Sequence, residues 1–170
     1  MTTMLKQSSK RYPIAAELLS LTHEQIAQLD QECTGGRGWE FYANGFVSGA
    51  TVFRDTLIGQ VREFTMVNIV EIKVRGREIY TSCTCSHRGG VCNHAVALLY
   101  SWTNDGESFL DVGESMDELE KLDKGDLLRI VRRILVREPK FLALALGRDA
   151  ADDDDSLIED DPLFGEDVEG

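Results

Sequence analysis

Apolar residues along this chain follow two rhythms, and the change from one to the other marks its organisation. Between residues 35 and 85, β-branched and aromatic side chains fill the runs FVSGATVF, TLIGQV and MVNIVEIKV, separated by turn formers such as Arg54-Asp55 and Arg75-Gly76. That pattern predicts a small antiparallel sheet whose last strand covers residues 79–84. From Ala95 the run AVALLYSW takes up the spacing of a helix packed on the sheet, and Thr103-Asn104-Asp105-Gly106 is expected to end it after Trp102.

Helical spacing is also read on both sides of this segment. Upstream, Thr22 and Gln25 form a capping box for a helix over residues 22–32, with Ile26 and Leu29 as its apolar edge. Downstream, Ser115 and Glu118 suggest a second capping box. Residues 126–137 then form an amphipathic segment, in which Leu127, Leu128, Val131, Ile134 and Leu135 make a stripe expected to be buried. Pro139 ends or bends that helix before a short apolar turn over residues 141–146. The expected class is α+β: a small antiparallel sheet with a helix packed on it, flanking helices and a disordered acidic tail.

The chemistry concentrates in one stretch, CTCSHRGGVCNH, where Cys83, Cys85, Cys92 and His94 lie in a C-x-C…C-x-H pattern. Three thiolates and one imidazole are the donor set of a closed, four-coordinate structural Zn2+ site, with no position left for substrate. In a strand, alternate side chains share a face, so Cys83 and Cys85 point the same way. Gly89 and Gly90 let the chain reverse, and Cys92 and His94 then arrive at the start of the next helix. His87, in the gap, is the rival nitrogen ligand. It lacks the neighbouring cysteine that positions His94. Two disulfides would leave Cys33 in search of a distant partner, a redox centre would be expected as C-x-x-C, and a nucleophilic cysteine would need an adjacent base. Cys33 itself reads as a small, partly buried thiol.

With its β-rich approach and the following Ala95-Val96-Ala97-Leu98-Leu99, this pattern resembles the SWIM zinc finger. That family occurs in bacterial and archaeal Swi/Snf-type helicase-associated proteins, mutator-like transposases and some eukaryotic signalling proteins. Arg37-Gly38, Phe41-Tyr42, Gly45-Phe46-Val47 and residues 57–61 follow in the order typical of bacterial members. The resemblance covers residues 36–102, with a looser echo after Ser115. It implies a nucleic-acid-binding or protein-binding domain with Cys83, Cys85, Cys92 and His94 as ligands. Unlike the helicase-linked relatives, the chain carries no G-x-x-x-x-G-K-[ST] phosphate loop, so any motor would come from a partner.

Charge alters this picture once it is divided along the chain. The formal net charge is −12, from 30 acidic and 18 basic residues among 170. Eleven of the acidic residues and none of the basic ones lie in residues 149–170, leaving the preceding body near neutrality. A neutral body is compatible with local basic patches that contact phosphate. Arg129, Arg132, Arg133 and Arg137 share much of the edge opposite the apolar stripe of the amphipathic segment and are the best phosphate-binding candidates, because guanidinium binds phosphate oxygens in pairs. A solvated face paired to nearby carboxylates is the plainer reading of the same arginines. Trp39, Phe41 and Tyr42 read either as core or as stacking platforms for bases. His23 reads as exposed and structural.

The tail alternates acidic runs with Leu157-Ile158 and Leu163-Phe164. Such a composition is expected to be disordered alone and to dock on a basic partner, to compete with phosphate for Arg129, Arg132 and Arg133, or simply to solubilise. No apolar run reaches the ~20 residues of a membrane span, so the chain reads as soluble, with its free cysteines favouring a reducing, cytoplasmic interior. The expected division is an N-terminal arm and helix over residues 1–34, a zinc-binding domain over 35–104, a helical region over 105–148 and the tail over 149–170. The functional expectation is a non-enzymatic accessory module in DNA transactions, beside a helicase, recombinase or nuclease supplied in trans. The alternative is a protein-interaction adaptor without nucleic-acid contact that recruits its partner through the tail.

Overall fold

Three hairpin connections build most of the sheet. In a computed structural model describing residues 11–146, β1 (Val47–Phe53), β2 (Thr56–Glu63), β3 (Met66–Arg75) and β4 (Glu78–Cys83) form a meander, each strand antiparallel to the next. The tight turns fall at Arg54-Asp55, Phe64-Thr65 and Arg77's neighbour Gly76. A fifth strand, β5 (Leu110–Asp111), pairs in parallel with β1, giving the order β4-β3-β2-β1-β5. The expected antiparallel sheet is formed by β1–β4, and β5 adds a short parallel edge strand to it. The two-residue β5 carries no periodicity that could have announced it.

One helix, α4 (Asn93–Asp105), runs through the middle of the fold. Every residue from His94 to Trp102 is buried, because α4 has neighbours on both sides. Leu57 and Val61 of β2 and Val70, Ile72 and Val74 of β3 face it from the sheet. On its other side lie α2 (His23–Cys33) and α3 (Arg37–Ala43), while α1 (Ala16–Leu19) contributes the buried Leu18, whose carbonyl accepts the Trp102 indole N–H at 2.8 Å. Burying each large aliphatic side chain of such a core contributes about 1.5–3 kcal/mol. Two glycines set how closely the layers approach α4. A Cβ on Gly59 of β2 would lie 2.6 Å from Leu98 Cδ1, and one on Gly38 of α3 would lie 2.4 Å from Val96 Cγ1. The sheet and α3 therefore grip the same helix from opposite sides through positions that have no side chain.

The helix α3 is a departure from the expected β-rich stretch over residues 35–85. RGWEFYA is too short to show helical periodicity and is rich in aromatics, which favour strands. Its start is stabilised from outside the segment. The buried Asp30 carboxylate, on α2, accepts the amide N–H groups of Gly38 at 2.9 Å and Trp39 at 3.0 Å, together with the Thr34 hydroxyl. These amides open α3 and have no partner within it, so the carboxylate acts as a borrowed N-cap.

Other boundaries match or shift for similar local reasons. The Thr22/Gln25 capping box forms as expected at the start of α2. Helix α4 continues past Trp102 to Asp105, with Thr103 and Asn104 side chains bonded back to carbonyls one turn earlier. Helix α5 (Val112–Leu119) is capped by Asp111, which accepts the Gly113 N–H at 2.8 Å. Ser115 thus lies inside the helix and not at its cap. Cys33 is exposed, where a partly buried thiol was expected.

The chain divides into two compact units, the first ending at Leu122 and the second beginning at Asp123. The second contains α6 (Lys124–Arg137), capped by Asp123 through the Asp126 N–H at 2.9 Å, and α7 (Phe141–Ala145) after Pro139. The amphipathic helix is therefore present, yet its stripe is not buried as expected. No residue of α6 is buried, and Leu128, Val131 and Ile134 are exposed. Residues 1–10 and 147–170, including the acidic tail, lie outside the described residues.

Candidate metal centre

The ligand cluster forms where the end of β4 meets the start of α4. Cys83 is the last residue of β4, and Cys85 follows two residues later on the same face. Between them Thr84 prolongs the ladder to β3: its N–H donates to the Ile69 carbonyl at 3.1 Å, and its hydroxyl accepts the Ile69 N–H at 3.0 Å. The backbone carrying both thiols is thereby fixed. The chain then reverses through Gly89 and Gly90, at φ +97° and +78°, values that a residue with a Cβ rarely adopts. Cys92 follows as the N-cap residue of α4, and His94 sits in the helix's first turn.

The three Sγ atoms and one imidazole nitrogen all lie within 4.8 Å of one another. A tetrahedron with metal–ligand bonds of about 2.3 Å has edges of about 3.8 Å, so a small contraction closes this set around one ion. The Cys83 Sγ to His94 Nδ1 separation is already 3.8 Å. Cys92 and His94 are buried, whereas Cys83 and Cys85 are half-buried, so the cluster is covered on its helix side. His87 is exposed and outside the cluster, which leaves His94 as its only nitrogen donor among the described residues.

The imidazole is held on its far side as well. His94 Nε2 lies 3.1 Å from Glu63 Oε2 and 3.4 Å from the Asn68 side-chain amide, while the Phe41 ring meets it edge-on at a centroid distance of 5.2 Å. With Nδ1 facing the thiols, Nε2 carries the proton and donates it to the carboxylate. Metal-bound histidines are commonly oriented in this way, and the partner makes the ring a better donor. Glu63 and Asn68 were not found from the sequence, and Phe41 was read there as core or as a stacking platform and not as a neighbour of His94. Glu63 ends β2, and only the fold brings it to His94, 31 positions later in the chain.

Electrostatics within the cluster favour ionised sulfur at Cys92. Its pKa is lowered, chiefly by the Cys83 thiol that donates to it and further by His94, the Ala95 amide and Cys85, against an opposing contribution from burial. Cys83 moves upward for the reciprocal reason, holding its proton against the Cys92 thiolate, with burial adding to the effect. His94 is raised, first by its hydrogen bond with Cys92 and then by Glu63, against an opposing contribution from burial. A soft, thiolate-rich donor set of this kind suits Zn2+ and other thiophilic ions far better than Mg2+ or Ca2+. These four residues could hold a metal ion.

The remaining candidates lie elsewhere. Phe41 is core; Trp39 is partly exposed and meets Tyr42, Tyr100 and His23 in an aromatic cluster with centroid separations of 5.1–5.6 Å. His23 Nδ1 lies 3.2 Å from Asn104 Oδ1, a structural contact. The arginines belong to the second unit. Arg129 pairs with Asp126 at 2.7 Å, and Arg132, Arg133 and Arg137 are exposed with no carboxylate partner among the described residues. No helix among the described residues is long and apolar enough to cross a membrane. Set against protein-family models, curated proteins and solved structures, the chain matches none.

Proposed function

We propose that Cys83, Cys85, Cys92 and His94 hold one structural Zn2+ and that the chain is a non-enzymatic zinc module of SWIM type, an accessory nucleic-acid-binding subunit in DNA transactions. The observation that carries the zinc reading is the convergence of three thiols and a carboxylate-oriented imidazole from a strand end and a helix start. Four protein ligands fill a tetrahedral ion's coordination, so the ion's role is to join β4 to α4 and not to activate water.

The nucleic-acid part of the reading is supported by Arg132, Arg133 and Arg137, which are exposed and engage no described carboxylate. Three phosphate contacts would give a log–log salt slope of about 2–3, or roughly 20–40-fold weaker binding between 50 and 200 mM salt. Fluorescence anisotropy of labelled single- and double-stranded DNA with the full chain tests this. Salt-sensitive binding that falls when Arg132→Gln and Arg133→Gln are combined is expected; no binding to either DNA at 50 mM salt, by the full chain or by a chain ending at Arg148, would sink the reading. A helicase, recombinase or nuclease acting in trans would supply catalysis.

The second reading, a protein-interaction adaptor, is favoured by a different feature. The β2–β3 turn presents Phe64, 93% exposed and at φ +54°, beside the exposed Met66, Val67 and Ile69. Contiguous exposed apolar side chains are typical of protein contact sites. A pull-down from the native organism that recovers a protein partner from nuclease-treated extract, and loses it on Phe64→Ser, would favour the adaptor.

A further inference from the structure

Helix α6 is amphipathic, and its apolar face is not buried among the described residues. At ~100° per residue, Leu127, Leu128, Ile130, Val131, Ile134 and Leu135 occupy one continuous arc, and Arg132 and Arg137 border it on either side. None of these residues is buried. An isolated helix of 14 residues is marginal in water, and most helices gain their stability from packing an apolar face. The occupant of this face therefore has to be both apolar and acidic.

A second copy of α6 fits poorly, since pairing the arcs would set two arginine borders against each other at like charge. The chain itself carries a segment with the required chemistry. Residues 123–146 contain six basic and three acidic residues, whereas residues 149–170 contain eleven acidic residues and no basic one. Within the latter, Leu157-Ile158 and Leu163-Phe164 interrupt the acidic runs. We infer that residues 152–164 dock on α6, with the two apolar pairs on the stripe and the flanking carboxylates on Arg132, Arg133 and Arg137.

The lengths agree. Fourteen helical residues span about 21 Å. The eleven residues from Leu146 to Leu157 reach at most ~40 Å, and as a flexible linker average about 17–20 Å. The two apolar pairs, six residues apart, are separated by no more than ~20 Å, so both reach the stripe at once. A tether of this length holds the segment at an effective concentration in the millimolar range, enough for a weak motif to stay seated. Carboxylate–guanidinium pairs beside an apolar contact are screened by salt, whereas the apolar pairs are not. The inference stands whether or not the chain binds nucleic acid.

Hydrogen exchange on the full chain tests it. The wild type is compared with a full-length variant carrying Leu157→Ser, Ile158→Ser, Leu163→Ser and Phe164→Ser, which leaves every charge in place. Amides of residues 128–137 should exchange about tenfold more slowly in the wild type, and by the same factor after tenfold dilution, as expected for a tethered site. Unchanged exchange in β3 shows that the variant is folded. Equal α6 rates in the two proteins would overturn the inference. Protection that grows with protein concentration would also overturn it, because a second copy would then cover the face.

Discussion

Removing the carboxylate behind His94 should weaken metal binding although Glu63 touches no ligand position itself. The His94 Nε2–Glu63 contact is 3.1 Å and the ring is buried, so losing the carboxylate takes a charged acceptor from a buried N–H. Outer partners of this kind typically contribute 10–100-fold to metal affinity. Glu63→Gln keeps an acceptor but loses its charge and should cost about tenfold, or about 1.4 kcal/mol; Glu63→Ala loses the acceptor and should cost about a hundredfold, or about 2.8 kcal/mol. At a fixed free Zn2+ concentration well above each dissociation constant, that loss appears directly as lost stability. At about 4 °C per kcal/mol, melting temperatures should drop by roughly 6 °C and 11 °C. Competition with a chromophoric chelator measures the affinities without reference to the metal-free state. If both variants bind Zn2+ within about twofold of wild type, the geometry drawn here for His94 is wrong.

Three further expectations follow from the scaffold. Gly59→Ala places a methyl group 2.6 Å from Leu98 Cδ1 and should destabilise by about 1–3 kcal/mol in urea denaturation; the cost should shrink in a Leu98→Ala background, and a cost unchanged there would show that the contact is not the cause. Asp30→Asn preserves shape but turns a donor toward the amide of Gly38 or Trp39, so about 1–3 kcal/mol should be lost, and an unchanged melting temperature would count against the borrowed cap. Tyr42 and Tyr100 have pKa values raised to about 12, chiefly by burial, with Asp105 and Asp30 respectively assisting. Their folded values lie above the unfolded value of 10, so the stability they contribute is complete below pH 10 and is lost as pH rises toward 12. Absorbance at alkaline pH should show two tyrosines ionising late; four ionising together near pH 10 would contradict this packing.

What the sequence disclosed, and what it hid, depended on the range of the interactions involved. The strands were readable because the turn formers beside them, at Arg54-Asp55 and around Gly76, and their β-branched runs are local signals. The α2 capping box was readable for the same reason: its partners lie three residues apart. Helix α3 was not, because its cap comes from Asp30, eight and nine residues before the amides it receives. The four candidate ligands stood out through their spacing, and the fold brings all of them together. Their support did not stand out, since nothing local distinguishes Glu63 or Asn68 from other polar residues of β2 and β3. Periodicity located α6 correctly but misjudged its burial, because an apolar arc shows that a helix needs a partner without showing that it has one.

The account's central claim is that one zinc ion joins the end of β4 to the start of α4. X-ray absorption and metal analysis of full-length protein, purified with reductant, address it most directly. The claim predicts about one Zn2+ per chain in a shell of three sulfurs at ~2.3 Å and one nitrogen at ~2.0 Å, and loss of order around Cys83 and Cys92 on chelation. Less than about half an equivalent of zinc, together with an unchanged fold after chelation, would contradict it.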